Sequence, residues 1–144
     1  MPTPTIRDWK TLRISLKRTE CFGTCPVYSV EIMGDGTVRY QGHLYVAKKG
    51  AHKAQISQDS VRSLFQKFVA ADFFWTLDEY TAWITDQPTY VLKLSFDGHT
   101  KTVIDYAGRA ACMPGEITDL EQAVDTAAQT SKWVKGKSAE SRAE

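Results

Sequence analysis

Two cysteines four residues apart form the most unusual chemical feature of the sequence. Cys21 and Cys25 flank Gly23 in the segment CFGTCP, which lies between two predicted strands. A glycine that reaches positive φ lets so short a turn fold back, which brings the two Cα atoms within the ~4.4–6.8 Å that a disulfide requires. The pair is therefore either a structural turn, bridged or unbridged, or a redox-active or redox-sensing pair.

The structural interpretation of these cysteines is favoured over the redox interpretation. Redox motifs of the C-x-x-C type lower a thiol pKa at a helix N-terminus, whereas here the spacing is C-x-x-x-C and no helix is predicted to begin. The case for a zinc site is weaker than the case for a redox pair. Its remaining ligands would come from Cys112 and the three histidines, none of which falls at a paired ligand spacing. We predict no metal and no cofactor, and we expect Cys112 to stay unpaired.

Two aspartates form a second candidate site, because a pair of carboxyl groups can serve as general acid and general base. Asp86 lies in the segment TDQP before a predicted strand, and Asp105 lies at the end of the last strand. An Asp before a Pro is more typical of a turn, since Asx side chains bond the backbone locally and proline fixes φ. The candidate binding-site residues are Asp86, Asp105, Tyr28 and Tyr106.

Alternating apolar and polar residues predict the strands that carry these side chains. The alternation is found in residues 12–17, 28–33, 37–41, 90–96 and 102–106. Asp35-Gly36 and Asp97-Gly98 each join two such segments, and an Asp-Gly pair in that position is typical of a hairpin whose glycine has positive φ. The polar and basic segment 47–55 is predicted to form a loop or a ragged edge.

Two amphipathic helices are predicted between and after these strands. The first begins after Ser57, a good N-cap, and has Asp59 in its first turn. Its apolar stripe follows the spacing of a one-sided helix and comprises Val61, Leu64, Phe65, Phe68 and Val69. The second helix has its stripe within residues 117–128, and residues 118–121 fit a capping box. The aromatic-rich segment 73–83 is predicted to fold over the core.

The element order βββαββα predicts an α+β fold. Strands linked by tight hairpins form an antiparallel sheet of about five strands, and two one-sided helices suit packing on one of its faces as a two-layer sandwich. A single domain is predicted over residues 10–134. Residues 1–9 are predicted to be an N-terminal arm with Trp9 as an anchor, and residues 135–144 a disordered C-terminal tail.

Composition agrees with one globular domain and narrows the functional classes. The chain has 144 residues, of which 42% are hydrophobic, and its net charge is +1. We therefore expect no nucleic-acid partner, and the lack of a run of about 18 apolar residues predicts no membrane insertion. The N-terminus shows no targeting signal. This predicts a cytoplasmic protein by default, or an envelope or periplasmic protein if a signal peptide has been removed.

Several motifs occur together along the chain. The motif C-x-G-x-C-P-x-Y at residues 21–28 is followed by the hairpin D-G-x-V-x-Y at 35–40, and later matches are ADFF at 71–74, TDQP at 85–88 and the Asp-Tyr that ends residues 101–106. Over roughly residues 10–134 the sequence resembles an uncharacterised family of bacterial domains of unknown function. The resemblance implies no established activity. It also implies relatives that are often envelope proteins, sometimes joined to ankyrin-type repeats.

The sequence as a whole favours a non-catalytic binding or interaction module for an unknown protein or small-molecule ligand. The core pattern is strong, whereas no set of residues converges on a catalytic arrangement, so an enzyme is not favoured. The first alternative is a thiol–disulfide redox or redox-sensing protein that uses Cys21 and Cys25. The second alternative is a hydrolase with the paired carboxylates Asp86 and Asp105.

Overall fold

A computed structural model of the chain describes residues 5–21 and 23–135. Residues 1–4 of the predicted arm, Phe22 of the cysteine turn and residues 136–144 of the predicted tail lie outside this range. The strands are β1 Arg13–Arg18, β2 Val27–Met33, β3 Thr37–Leu44, β4 Gly50–Gln55, β5 Glu79–Thr81, β6 Thr89–Phe96 and β7 His99–Tyr106. The helices are α1 Gln58–Ala70, α2 Gly115–Ala128 and α3 Ser131–Val134.

In the described part of the chain, the seven strands form one mixed sheet in the order β4-β3-β2-β1-β6-β7-β5. Neighbouring strands are antiparallel except β5, which pairs with β7 in parallel. The central strand β1 lies between β2 and β6. Its last residue, Arg18, is therefore opposite Tyr28 on one side and Tyr90 on the other. This register decides which side chains meet at that end of the sheet.

One face of the sheet and the helices enclose the core. Buried residues alternate along every central strand, as Ile14 and Leu16 do in β1, while the residues between them lie on the open face. Phe65 of α1 packs edge-on against Phe96 of β6, with 5.2 Å between the ring centroids, and α2 packs on α1, β1 and β2. The α+β class and the helix-covered sheet agree with the sequence prediction.

The local signals for the N-cap of α1 and for the turn between β2 and β3 work as the sequence predicts. The Ser57 hydroxyl accepts a hydrogen bond from the Ser60 N–H at 3.1 Å and caps α1. Gly36 has a φ of 91° in the turn between β2 and β3. Trp9 packs edge-on against Phe65, with 5.3 Å between the ring centroids, and acts as the expected anchor. These features depend on short-range chemistry, which the sequence displays directly.

The prediction of about five antiparallel strands is wrong in detail, because two edge strands carry little apolar pattern. β4 lies in the segment predicted as a loop or ragged edge, and its only apolar side chains are alanines. It forms because its backbone pairs with β3 along six residues. β5 has three residues and forms beside β7, in parallel, so the sheet is mixed. Backbone pairing rather than side-chain alternation stabilises such short or polar edges.

The helix predictions also need correction. α2 begins at Gly115 directly after Pro114, so residues 118–121 lie inside the helix and cannot be its capping box. A short third helix, α3, follows and places Trp133 against Tyr40, with ring centroids 4.8 Å apart. Tertiary packing therefore orders residues close to the predicted tail. Within the described residues, no helix is long and apolar enough to cross a membrane.

The aromatic-rich segment between α1 and β5 covers the core only in part. Phe73 is fully buried and lies edge-on to Phe68 at 5.0 Å, as the prediction requires. Trp75 and Leu77 are exposed, and Trp83 beyond β5 is fully exposed. The prediction is wrong for these three residues, and Phe73 and Phe74 are the residues of the segment that pack on the core.

Candidate functional site

A partly buried polar cluster forms where the end of β1 meets α2. Arg18 belongs to the helix-covered face, because it continues the alternation of Ile14 and Leu16. A guanidinium on that face needs a partner, and Asp125 of α2 supplies a carboxylate that forms an ion pair with it. The Arg18 Nε also donates to the Tyr28 hydroxyl at 2.9 Å. Sheet register and helix position thus bring three distant residues together.

The same carboxylate organises the rest of this cluster. The Tyr28 hydroxyl donates to Asp125 Oδ1 at 2.7 Å, and the Thr130 hydroxyl donates to the same oxygen at 2.8 Å. Burial, followed by the charge of Asp125, raises the pKa of Tyr28. Burial is the strongest single influence on the Arg18 guanidinium and opposes its charge. The attraction to Asp125, Tyr28 and Tyr90 and the hydrogen bond to Asp125 together outweigh burial and raise the pKa. The Arg18 guanidinium therefore stays charged, and its ion pair with Asp125 satisfies it.

A second group of polar side chains lies one helical turn away, in what we call the carboxyl pocket. Glu121 of α2 precedes Asp125 by four residues, and Asp105 lies next to the end of β7. Both carboxyl groups line a pocket of about 330 Å³. The other lining residues are Gln87, Pro88, Tyr90, Ala107, Gly108, Arg109, Ala110 and Thr118.

The turn after β7 holds Asp105 in this pocket. Asp105 Oδ1 accepts a hydrogen bond from the Gly108 N–H at 2.7 Å, and the carboxyl group is buried. A Cβ at position 108 would lie 2.6 Å from that oxygen, which is closer than real Cβ contacts allow. Only glycine therefore lets the backbone approach the carboxyl group so closely. The arrangement fixes one oxygen of Asp105 in the pocket.

Glu121 is the most perturbed acid of the described chain. Glu121 is only 3% exposed, and its Oε2 atom has no hydrogen-bond partner among the described residues. Burial, then the hydrogen bond with Asp105 and its charge, raises the pKa of Glu121 from 4.5 to about 9. Glu121 is therefore protonated at neutral pH and lies beside the carboxyl group of Asp105. The pocket holds two carboxyl groups, and one buried oxygen of Glu121 has no hydrogen-bond partner among the described residues.

Tyr90 connects the pocket to the polar cluster. The Arg18 guanidinium carbon lies 4.7 Å from the centroid of the Tyr90 ring, in a cation–π arrangement. Burial, together with the nearby acids Glu121 and Asp105, raises the pKa of Tyr90 despite the proximity of Arg18. One continuous polar layer thus runs from Asp125 to Asp105 beneath α2.

The structure brings some of the sequence candidates together and separates others. Asp105 lines the carboxyl pocket, and Tyr28 belongs to the adjoining polar cluster. Asp86 is exposed, with a φ of 64°, and only the residues after it, Gln87 and Pro88, line the pocket. Tyr106 is half-buried and is not a lining residue. The neighbour of Asp105 is therefore Glu121, not the expected Asp86.

Sequence reasoning overlooked Glu121, although a signal for it exists. Glu121 and Asp125 are four residues apart, and they come directly after the apolar residues Leu120 and Val124 along α2. An acidic residue that directly follows a residue of the apolar stripe lies at the edge of the buried face of the helix. Such residues are almost never fully buried unless paired. The pattern indicates a polar partner on the sheet, but it does not identify which strand supplies that partner.

The cysteine turn lies beside the polar cluster, since it connects Arg18 of β1 to Tyr28 of β2. The Cys21 and Cys25 sulfurs are joined, and their Cα atoms are 5.7 Å apart, within the bridging range inferred from the sequence. Cys112 is exposed and unpaired. No group of three or more candidate metal ligands occurs in the described ranges, 5–21 and 23–135.

A larger depression of about 590 Å³ lies on the open face of the sheet. Its polar lining includes Ser15, Ser29, Glu31, Arg39, Gln41 and Lys53. These side chains are half-buried or exposed, and solvent can satisfy them. The carboxyl pocket is smaller, yet it alone of the two contains the buried, unpartnered Glu121 oxygen. Chemistry rather than size therefore favours the carboxyl pocket as the functional site.

The chain matches the model of a protein family. Residues 12–128, which are 117 of the 144 residues, match a family model described as "Domain of unknown function (DUF6438)". The matched stretch contains every residue that lines the carboxyl pocket and both bridged cysteines. A search of curated proteins found no match.

Proposed function

The chain belongs to the DUF6438 family of domains of unknown function, and we propose that it is a non-catalytic binding module whose carboxyl pocket takes a small polar ligand. The observation that carries the proposal is the buried Glu121 Oε2, which has no hydrogen-bond partner in the described chain. A buried acceptor without a partner costs roughly 1–3 kcal/mol of stability. A ligand that donates a hydrogen bond to this atom would recover that free energy.

The size and lining of the pocket support a small ligand. Binding pockets typically measure about 300–1,000 Å³, and this one, at about 330 Å³, lies at the lower end. It combines apolar surface from Pro88, Ala107 and Ala110 with the polar groups of Asp105 and Glu121. A short aliphatic compound, or one side chain of a partner protein, fits this description.

Thermal unfolding with a panel of small polar compounds tests the proposal. The panel contains diaminobutane, butanediol and succinate, and a bound compound raises the Tm because it binds the folded state alone. Ala110 is exposed at the pocket, so A110F is expected to place a ring across the opening and to abolish the shift. Ala51 is exposed at the open-face depression, and A51F is the matched control. A shift abolished by A51F but not by A110F would contradict the proposal.

Acid–base hydrolysis at the same pocket is a second candidate function. It is supported by the contact between Asp105 and protonated Glu121, because two carboxyl groups that share one proton also form the active site of aspartic proteases. Cleavage of a labelled casein that both D105N and E121Q abolish would favour the hydrolase. Cleavage that persists in both variants, or no cleavage at all, would leave the binding module.

The redox alternative concerns the cysteine turn rather than the pocket. Cys21 and Cys25 are half-buried, so a thiol of glutathione could reach the bridge. Equilibration in glutathione buffers gives the reduction potential of the pair. A potential close to that of the glutathione pool would favour a redox role, whereas one far below it would make the bridge a structural link.

A further inference from the structure

We propose that the ligand of the carboxyl pocket carries a primary ammonium group, which replaces the proton held between Asp105 and Glu121. The inference rests on the proposed binding function and specifies its ligand class. Three features of the pocket support it: the free acceptor atoms, the balance of charge and the apolar walls.

The two carboxyl groups of the pocket offer acceptor atoms. Glu121 Oε2 has no partner among the described residues, and the Gly108 N–H engages Oδ1 of Asp105 but not its other oxygen. An ammonium group has three N–H donors and no acceptor, so it can bond to both carboxyl groups at once. A ligand carboxylate or phosphate offers only acceptors and cannot donate a hydrogen bond to Glu121 Oε2.

The charges around Glu121 allow a cation to enter. The charged or titratable side chains that face the pocket or its adjoining cluster are Arg18, Tyr90, Asp105, Arg109 and Asp125. Arg18 is neutralised by its ion pair with Asp125, and Arg109 is exposed to solvent. No ion pair among the described residues involves Asp105 or Glu121. In the free protein, a proton on Glu121 therefore compensates the charge of the carboxyl pair.

Ligand binding is then an exchange of one cation for another. The Glu121 carboxylic acid releases its proton to the buffer, and the ammonium group, which keeps all its protons, forms an ion pair with the two carboxylates. The charge inside the pocket is unchanged by this step. Burying an ionised Glu121 without a counter-charge would cost free energy, and this cost keeps Glu121 protonated in the free protein. The exchange avoids the cost, because Glu121 ionises only when the ammonium group is present.

The walls of the pocket select the chain that is attached to the ammonium group. Pro88, Ala107 and Ala110 present apolar surface suited to a short alkyl chain. Such a chain occurs in a free aliphatic amine and equally in a lysine side chain. The two sources share one chemistry, and the experiment separates them by using diaminobutane in one arm and N-acetyl-lysine amide in the other.

Calorimetric titration near neutral pH, in phosphate and in HEPES, tests the exchange. The two buffers differ in ionisation enthalpy, so the difference between the measured heats counts the protons released. We expect close to one proton per amine bound and an affinity that rises about tenfold per pH unit while Glu121 is still protonated in the free protein. If N-acetyl-lysine amide binds more tightly than diaminobutane, the ligand is a lysine side chain. If diaminobutane binds more tightly, the ligand is a free amine.

Two variants and one neutral probe make the test decisive. E121Q keeps the shape and the hydrogen bonds but cannot release a proton, so we expect amine affinity to fall at least tenfold and proton release to vanish. E116Q changes an exposed acid on the same helix and is expected to bind as the wild type does. Butanediol has the length of diaminobutane without its charge and is expected not to bind.

The outcomes separate the ammonium inference from the proposed function. Amine binding without proton release, or with E121Q unaffected, overturns the exchange. No amine binding at millimolar concentration overturns the ammonium inference, while A110F-sensitive binding of butanediol or succinate would leave the binding module standing. If no compound in the panel binds, both the inference and the proposed function fail.

Discussion

Replacing Glu121 with glutamine should make the protein more stable at neutral and alkaline pH. Glu121 ionises at its ordinary pKa of 4.5 in the unfolded chain, but its pKa is about 9 in the folded protein. Between these values the folded state keeps a proton that the unfolded state releases, so stability falls as the pH rises through this window. Because glutamine does not titrate, the stability of E121Q does not fall with pH on account of this position.

The size of the effect can be worked out from the two pKa values of Glu121. One pKa unit corresponds to about 1.4 kcal/mol, so the wild type should lose roughly 3 kcal/mol between pH 4.5 and pH 7 on account of this residue, and about 5 kcal/mol by pH 8. These are upper values, since relaxation of the pocket reduces the burial cost. The difference between the two proteins should therefore be small near pH 4.5 and should grow steadily above it.

Urea unfolding of both proteins at a series of pH values measures this difference. Other titrating groups cancel, because wild type and variant share them. E116Q on the exposed side of α2 is the control, and its stability should stay within about 0.5 kcal/mol of wild type throughout. A difference between E121Q and wild type that does not change with pH would refute the reasoning. It would mean that Glu121 is already ionised in the folded protein.

Three further predictions concern the fold. Phe68→Ala should cost about 3–5 kcal/mol in a thermal or urea melt, because Phe68 is fully buried against Phe73; an unchanged melt would contradict the packing. Gly36→Val should cost more than about 1 kcal/mol, since φ is 91° and the new Cβ would lie 2.2 Å from the Ile56 carbonyl oxygen; G98V, where φ is 82° in open space, is the comparison and should cost less. Peptide mass spectrometry without reduction should find the Cys21–Cys25 link, and breaking it should cost about 2 kcal/mol or less, because the closed loop is short.

Features that depend on neighbours along the chain can be predicted from the sequence. The alternation of Ile14 and Leu16 is enough to place β1, and the stripe from Val61 to Phe68 is enough to place α1 and its buried face. The Asp-Gly turn at Gly36 is recognisable because few other residues tolerate positive φ there. In each case the information lies within a few residues, where side-chain period and turn chemistry act directly.

The edge strands, in contrast, depend on tertiary contacts. β4 and β5 have too few apolar residues to be recognised from their pattern, and they form because β3 and β7 offer unpaired backbone groups. The pairing of β5 with β7 also makes the sheet mixed, although every hairpin in the sequence predicts antiparallel neighbours. A strand of three residues has no stability of its own, and its existence depends on the partner.

The carboxyl pocket is likewise a product of tertiary structure. Asp105 is visible in the sequence as an acid at a strand end, but the sequence does not identify its neighbour. The expected partner, Asp86, is exposed and does not line the pocket. Glu121 meets Asp105 because α2 crosses the sheet where β7 ends, and the same crossing brings Asp125 to Arg18. Burial then changes the chemistry of Glu121, since a carboxyl group deprived of water and placed beside another acid retains its proton. That property belongs to the folded environment and not to the residue.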